Sequence, residues 1–178
     1  MRKYVMVLVV AMLSAGVVHA QDGGIGLGFQ HELFGIFDGM DGAGANTASI
    51  RTWLSENFGL EGNISHRDMD DMGDMYLLGG KGMYAPIVRE NSKMYVGLEG
   101  MFGQVDEESE ETDVWLIRPL FGAQFHFEEI PELGFVWEVG YGFGNADTDS
   151  DFGDGDGDDE DFDLSGVMVT VGAFYFLN

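Results

Sequence analysis

Seven ionisable residues stand out by sign and spacing. Glu32, Arg51, Glu61, Lys81, Glu99, Arg118 and Glu138 alternate acid and base along the chain. Such a series forms ion pairs only if successive members are brought side by side. Once enclosed, the pairs either plug a space or line a path for ions. His31, Asp163 and Ser165 are a second group, with the side chains of a nucleophilic lipid hydrolase if the two ends of the chain meet.

Both groups depend on strands to position them. Apolar and polar residues alternate with period two through most of the chain, the mark of strands whose two faces meet different surroundings. The alternation predicts eight strands, near 23–34, 46–55, 58–67, 74–84, 93–104, 113–127, 134–145 and 163–177. One face carries Val96, Leu98 and Phe102, then Trp115, Ile117, Phe121 and Phe125, then Phe135, Trp137, Val139, Tyr141 and Phe143, with no charge among them. The other face is rich in glycine, and on each of the first seven strands it carries one member of the alternating series. In a meander these charges become neighbours of opposite sign.

Composition sets the outer limits. The chain has 178 residues, 28 of them glycine and none cysteine, with a formal net charge of −24. That excludes disulfides and thiolate metal sites, and it argues against a nucleic-acid partner. Arg2, Lys3, the apolar run Tyr4 to Val18 and Val18-His19-Ala20 form a cleavable export leader over 1–20, followed by one domain over 21–178. No later stretch is long and apolar enough for a spanning helix, so any crossing of a membrane must use strands.

The connections alternate too. Ser55–Gly59, Ala85–Ser92 and Glu128–Leu133 read as compact turns, whereas the loops near 36–45, 68–73, 105–112 and 146–162 are long and acidic. Of the 32 acids, 22 lie in or beside those four loops, with Arg67 as their single base. Carboxylates in a Gly-rich loop suit Ca²⁺, and Asp147, Asp149, Asp151, Asp154, Asp156 and Asp158 are the candidate ligands. The run opens with the Asp-x-Asp-x-Asp spacing of an EF-hand, but Phe152 stands where that loop needs glycine. A solvated acidic surface is the plainer reading, and diffuse binding of divalent cations or of a basic ligand is compatible with it.

A soluble barrel would turn its apolar face inward and cover its outside with charge. Here the pattern is inverted: apolar outside, a few pairable charges inside, as hydrocarbon solvent demands. Tyr76, Tyr84, Trp115, Phe127, Phe135, Phe143 and Tyr175 near strand ends suit interfacial girdles. On strand number, loop asymmetry and the terminal strand Val167 to Leu177, the chain resembles the small eight-stranded outer-membrane β-barrels of Gram-negative bacteria, the OmpA and OmpX type. The resemblance implies an all-β, antiparallel, up-and-down transmembrane barrel, monomeric, in contact with outer-membrane lipid and inserted by the barrel-assembly machinery. Family members end on an aromatic residue. This chain ends Phe176-Leu177-Asn178, which leaves Tyr175 and Leu177 as the insertion signal.

An eight-stranded interior is about filled by side chains, so the charges, with Gln30, Asn63, Gln124, His126 and Thr170, form a plug rather than a pore. A narrow ion or small-solute channel is the alternative. A lipid A-modifying hydrolase using His31, Asp163 and Ser165 is the second alternative. The His-x-Ser pairing of the lipid A deacylases is absent, so a structural or surface-interaction role without catalysis or a resident cofactor is the expectation.

Overall fold

The computed structural model describes residues 24–35, 45–68, 74–106, 111–149 and 160–177. They form eight strands: β1 (Ile25–Phe34), β2 (Asn46–Trp53), β3 (Phe58–Asp68), β4 (Asp74–Arg89), β5 (Ser92–Asp106), β6 (Glu111–Phe127), β7 (Ile130–Asp149) and β8 (Glu160–Leu177). Each pairs antiparallel with the next, and β1 closes on β8, giving a barrel without a free edge. The expected leader and the candidate ligands Asp151, Asp154, Asp156 and Asp158 lie outside the described residues.

Following one line of cross-strand partners from Leu27 leads through Ile50, Gly62, Gly80, Gly100, Ile117 and Phe143 to Ser165. Leu27 itself faces Tyr175 on β8, so the line returns ten residues out of step. That stagger is the shear that lets eight tilted strands close.

Several strands outrun their sequence-predicted limits, and proline explains two of the differences. Pro86 and Pro131 suggest breaks, because proline cannot donate to a ladder. The register instead shifts between Tyr84 and Ile87, and again where Phe127 meets Ile130, so both prolines are absorbed at irregularities. The β4–β5 and β6–β7 turns shrink to Glu90-Asn91 and Glu128-Glu129. At the other end β7 runs to Asp149 and β8 starts at Glu160. Asp147 and Asp149 are therefore strand residues rather than loop residues, because the ladder continues past the point where apolar alternation stops.

The faces are sorted as the alternation predicts. Leu27, Leu98, Trp115, Phe121, Trp137 and Tyr175 are exposed on the outside, Leu98 at 59%. The inward face is crowded, which is why glycine is frequent on it. A Cβ built on inward Gly122 would lie 2.7 Å from Cζ of the buried Tyr95 ring, whereas one on outward Gly100 meets nothing within 4 Å. Gly122→Ala should lower stability by about 1–3 kcal/mol through overpacking, and Gly100→Ala should leave it nearly unchanged. Urea unfolding midpoints of the two variants in the same detergent would check this contrast.

Candidate functional site: the lumen

Glu32, Arg51, Glu61, Lys81, Glu99, Arg118 and Glu138 all point into the barrel and all are buried. The strand period puts them there, since each shares parity with the inward positions of its strand. An eighth charge joins them. Arg67, expected at the edge of an acidic loop and left out of the alternating series, is an inward residue of β3, 3% exposed, with NH2 2.8 Å from Glu32 Oε1. Its even spacing from Glu61, six residues along one strand, is the signal that identifies it. With Arg67 the described lumen holds four carboxylates and four bases and is formally neutral.

Glu138 is the hub. Its Oε1 accepts from Arg51 NH2 at 2.9 Å and from Tyr95 OH at 2.7 Å, and Lys81 Nζ reaches both oxygens, at 2.9 and 2.7 Å. Arg118 NH2 stands 3.2 Å from Oε2. Glu61 is held by Arg51, by Lys81 at 3.0 Å and by Gln30 at 2.6 Å. Glu99 pairs with Arg118 at 2.5 Å and accepts from Asn63 at 2.6 Å. Each carboxylate therefore meets at least one cation, as burial of charge requires. Tyr95 was not singled out by sequence because it lies among apolar residues, although it shares parity with Glu99.

The charges do not fill the lumen alone. Toward the short turns lies an apolar layer that includes Trp53, Met83, Tyr95, Leu120, Phe174 and Phe176. Toward the long loops lies another that includes Met75, Leu77, Met101, Leu116, Leu164 and Met168. The sequence reading expects a wholly polar plug. The structure instead sandwiches the ion network between two apolar layers, because short runs of β4, β6 and β8 carry apolar residues on both faces. The Arg51 guanidinium carbon sits 4.5 Å from the centre of the Phe174 ring, which joins network and layer by a cation–π contact. At the rim His126 Nδ1 is 2.7 Å from the Pro131 carbonyl and Nε2 is 2.8 Å from Gln124 Nε2. A carbonyl only accepts and an amide nitrogen only donates, so this geometry fits the neutral Nδ1–H ring.

Between the network and the loop-side layer is a cavity of about 20 Å³ bordered by Glu32, Asn63, Glu99, Arg118, Met168 and Thr170. It is the size of a single water site. Asn63 Oδ1 and Arg118 Nε are buried without a protein partner, which suits a bridging water.

The other candidate residues fall elsewhere. His31 faces Val171 on β8, six residues from Ser165 and eight from Asp163. At about 3.3 Å per residue that separates His31 from Ser165 by about 20 Å, so the three are not brought together. Asp163 and Ser165 are exposed on the outer face. Asp147 lies opposite Asp113 on β6 and Asp161 on β8. No group of three or more metal-ligating side chains converges among the described residues.

No family model matches the chain, and no curated protein matches it. Among solved structures, a chain titled KdgM porin aligns over 86% of this chain and 99% of its own length, at 10% identity and a TM-score of 0.33. A likeness at that level carries no inference about this protein.

Removing the hub should be costly. Glu138→Ala leaves Arg51, Lys81 and Arg118 without their shared carboxylate and should destabilise the barrel by about 3–5 kcal/mol. Glu32→Ala removes one pair at the edge of the lumen and should cost less. Unfolding of both variants from detergent, followed by tryptophan fluorescence, measures the difference.

Proposed function

We propose that the protein is a monomeric outer-membrane β-barrel, held shut by its own lumen, with a structural or surface-interaction role presented through its acidic loops. The observation that supports this most is the pairing of an apolar outer face with an enclosed neutral ion network. In water the exposed Leu, Phe and Trp side chains would be a large aggregation-prone surface. In a bilayer they are solvated, and a closed barrel leaves no strand edge open to lipid. The barrel would be delivered by the leader over 1–20 and inserted by the assembly machinery, with Tyr175 and Leu177 as its signal.

Closure of the lumen is the reading that the two apolar layers favour over a channel, because an apolar constriction empties itself of water and blocks ions. The separation of His31 from Ser165 favours a non-enzymatic role over lipid hydrolysis. The acidic end is a place for divalent cations or a basic ligand. Asp68 faces Asp74, Asp74 faces Asp106, and Asp106 faces Glu111 on successive strands. Directly opposed like charges destabilise a sheet until cations screen them. A specific Ca²⁺ site including Asp147 and Asp149 is the narrower form of this proposal.

The chain should fold in detergent with a gel mobility that changes on heating, and in a planar bilayer it should give no discrete conductance steps. Steps of uniform size would replace the closed reading with the channel. Removing divalent cations with EDTA should lower the thermal midpoint, and Ca²⁺ or Mg²⁺ should restore it. Restoration by Ca²⁺ alone would favour the specific site.

A further inference from the structure

Trp53, Gln124 and His126 form a chain of hydrogen bonds at the short-turn end of the lumen. Gln124 Oε1 accepts from Arg51 NH1 at 3.2 Å and from the Trp53 indole nitrogen at 3.3 Å. Both partners only donate, which fixes the oxygen between them and turns the amide nitrogen toward His126 Nε2, at 2.8 Å. The ring therefore accepts at Nε2 and carries its proton on Nδ1, 2.7 Å from the Pro131 carbonyl. Gln124 is buried, whereas His126 is half-buried at the rim, where a proton can reach it from water.

A second proton cannot be taken up without a break in this chain. The imidazolium carries N–H at both nitrogens, so its Nε2 would meet the Gln124 amide donor to donor. Turning the amide over would satisfy the ring, but it would set the amide nitrogen against Arg51 and Trp53. No orientation of Gln124 serves all three neighbours once the ring is charged. Either the ring swings away or Gln124 lets go of Arg51 and Trp53.

The charged surroundings do not remove the conflict. Lys93, opposite Gln124 on β5, has Nζ 4.2 Å from the centre of the Trp53 ring and opposes a charge on His126. Gly134 of β7 and Phe176 of β8, which also pack on the ring, carry no charge. The His126 backbone N–H donates to the Asn91 carbonyl at 2.8 Å, which brings the β4–β5 turn alongside, with Arg89 against and Glu90 in favour of a charged ring. Glu128, Glu129 and Glu132 of its own hairpin favour it too. These groups bear on the pH at which the ring titrates and leave the donors and acceptors around Gln124 as they are.

We propose that His126 and Gln124 are a pH-sensitive latch on the turn-side apolar layer: the neutral ring holds Gln124 on Arg51 and Trp53, and protonation from the compartment on that side releases it. The layer that contains Trp53 and Phe176 is fastened above the range in which imidazole takes up a proton, about pH 6.5, and loosened below it. Closure of that end thus becomes conditional on acidity, which the closed-barrel reading does not contain. The latch follows from the hydrogen-bond geometry and not from the solvent that the outer wall faces.

The test uses the full chain folded in detergent micelles, with tryptophan isotope-labelled for NMR and gel mobility as the check on folding. The indole N–H signal of Trp53, identified by its loss in Trp53→Phe, should shift along a single-proton curve between about pH 8 and about pH 5. Its exchange with water should quicken over the same range, since its acceptor is lost. The signals of Trp115 and Trp137, on the outer wall, should stay in place. His126→Gln, which cannot take up a proton, should abolish the response. Gln124→Met, which keeps the ring and removes the link, should abolish it as well and serves should the first variant fold poorly. A Trp53 signal that does not move in the wild type, or that moves as far in a folded variant, overturns the proposal. A shift without faster exchange reports the charge on the ring but no release, and overturns the latch.

Discussion

The rest of the structure depends on one constraint: a closed barrel that turns apolar side chains outward encloses its charges, and enclosed charges and hydrogen-bonding groups need partners. Closure of β1 on β8 meets that need for the backbone of the two end strands. For the charges it is met inside, where Arg51, Arg67, Lys81 and Arg118 balance Glu32, Glu61, Glu99 and Glu138. Replacing buried ion pairs by apolar residues is often neutral for stability. What the network supplies here is register, since a one-residue slip of any of β1–β7 would move its charge to the outer face.

The two apolar layers have a complementary part. They flank the network centred on Glu138 and limit the water that reaches it, so its pairs act at a lower effective dielectric than at a surface. The aromatic layer also reaches the network directly through Phe174 beneath Arg51 and through Tyr95, whose hydroxyl donates to Glu138. Packing and electrostatics are thus joined at the same few residues.

Much of this was legible in the sequence because period-two alternation reports which face a residue takes, and the seven alternating charges are few enough to stand out among glycines. The strand ends were less legible. Pro86 and Pro131 look like stops, yet irregular pairing absorbs them. Asp147 looks like a loop ligand, yet its backbone continues the β7 ladder. Arg67 was hidden by the acids around it, and the apolar lining of the lumen by short runs with no alternation. The separation of His31 from Ser165 could not be read at all, because it follows from the stagger of closure, a property of the whole ring.

Glu138 also ties together hairpins that are not neighbours in the ring. Of the lumen charges alone, the hairpin β1–β2 carries Glu32 with Arg51 and β5–β6 carries Glu99 with Arg118, so each is balanced on its inner face. On the inner face the hairpin β3–β4 is one positive charge in excess, with Glu61 against Arg67 and Lys81, and β7–β8 is one negative charge in excess through Glu138. Lys81 Nζ meets Glu138 Oε2 across the lumen at 2.7 Å. The excess on β3–β4 is therefore matched only by β7–β8, a hairpin that is not its neighbour in the ring. The inner face is therefore neutral only in the closed ring, and either hairpin alone would hold a charge without its counterpart.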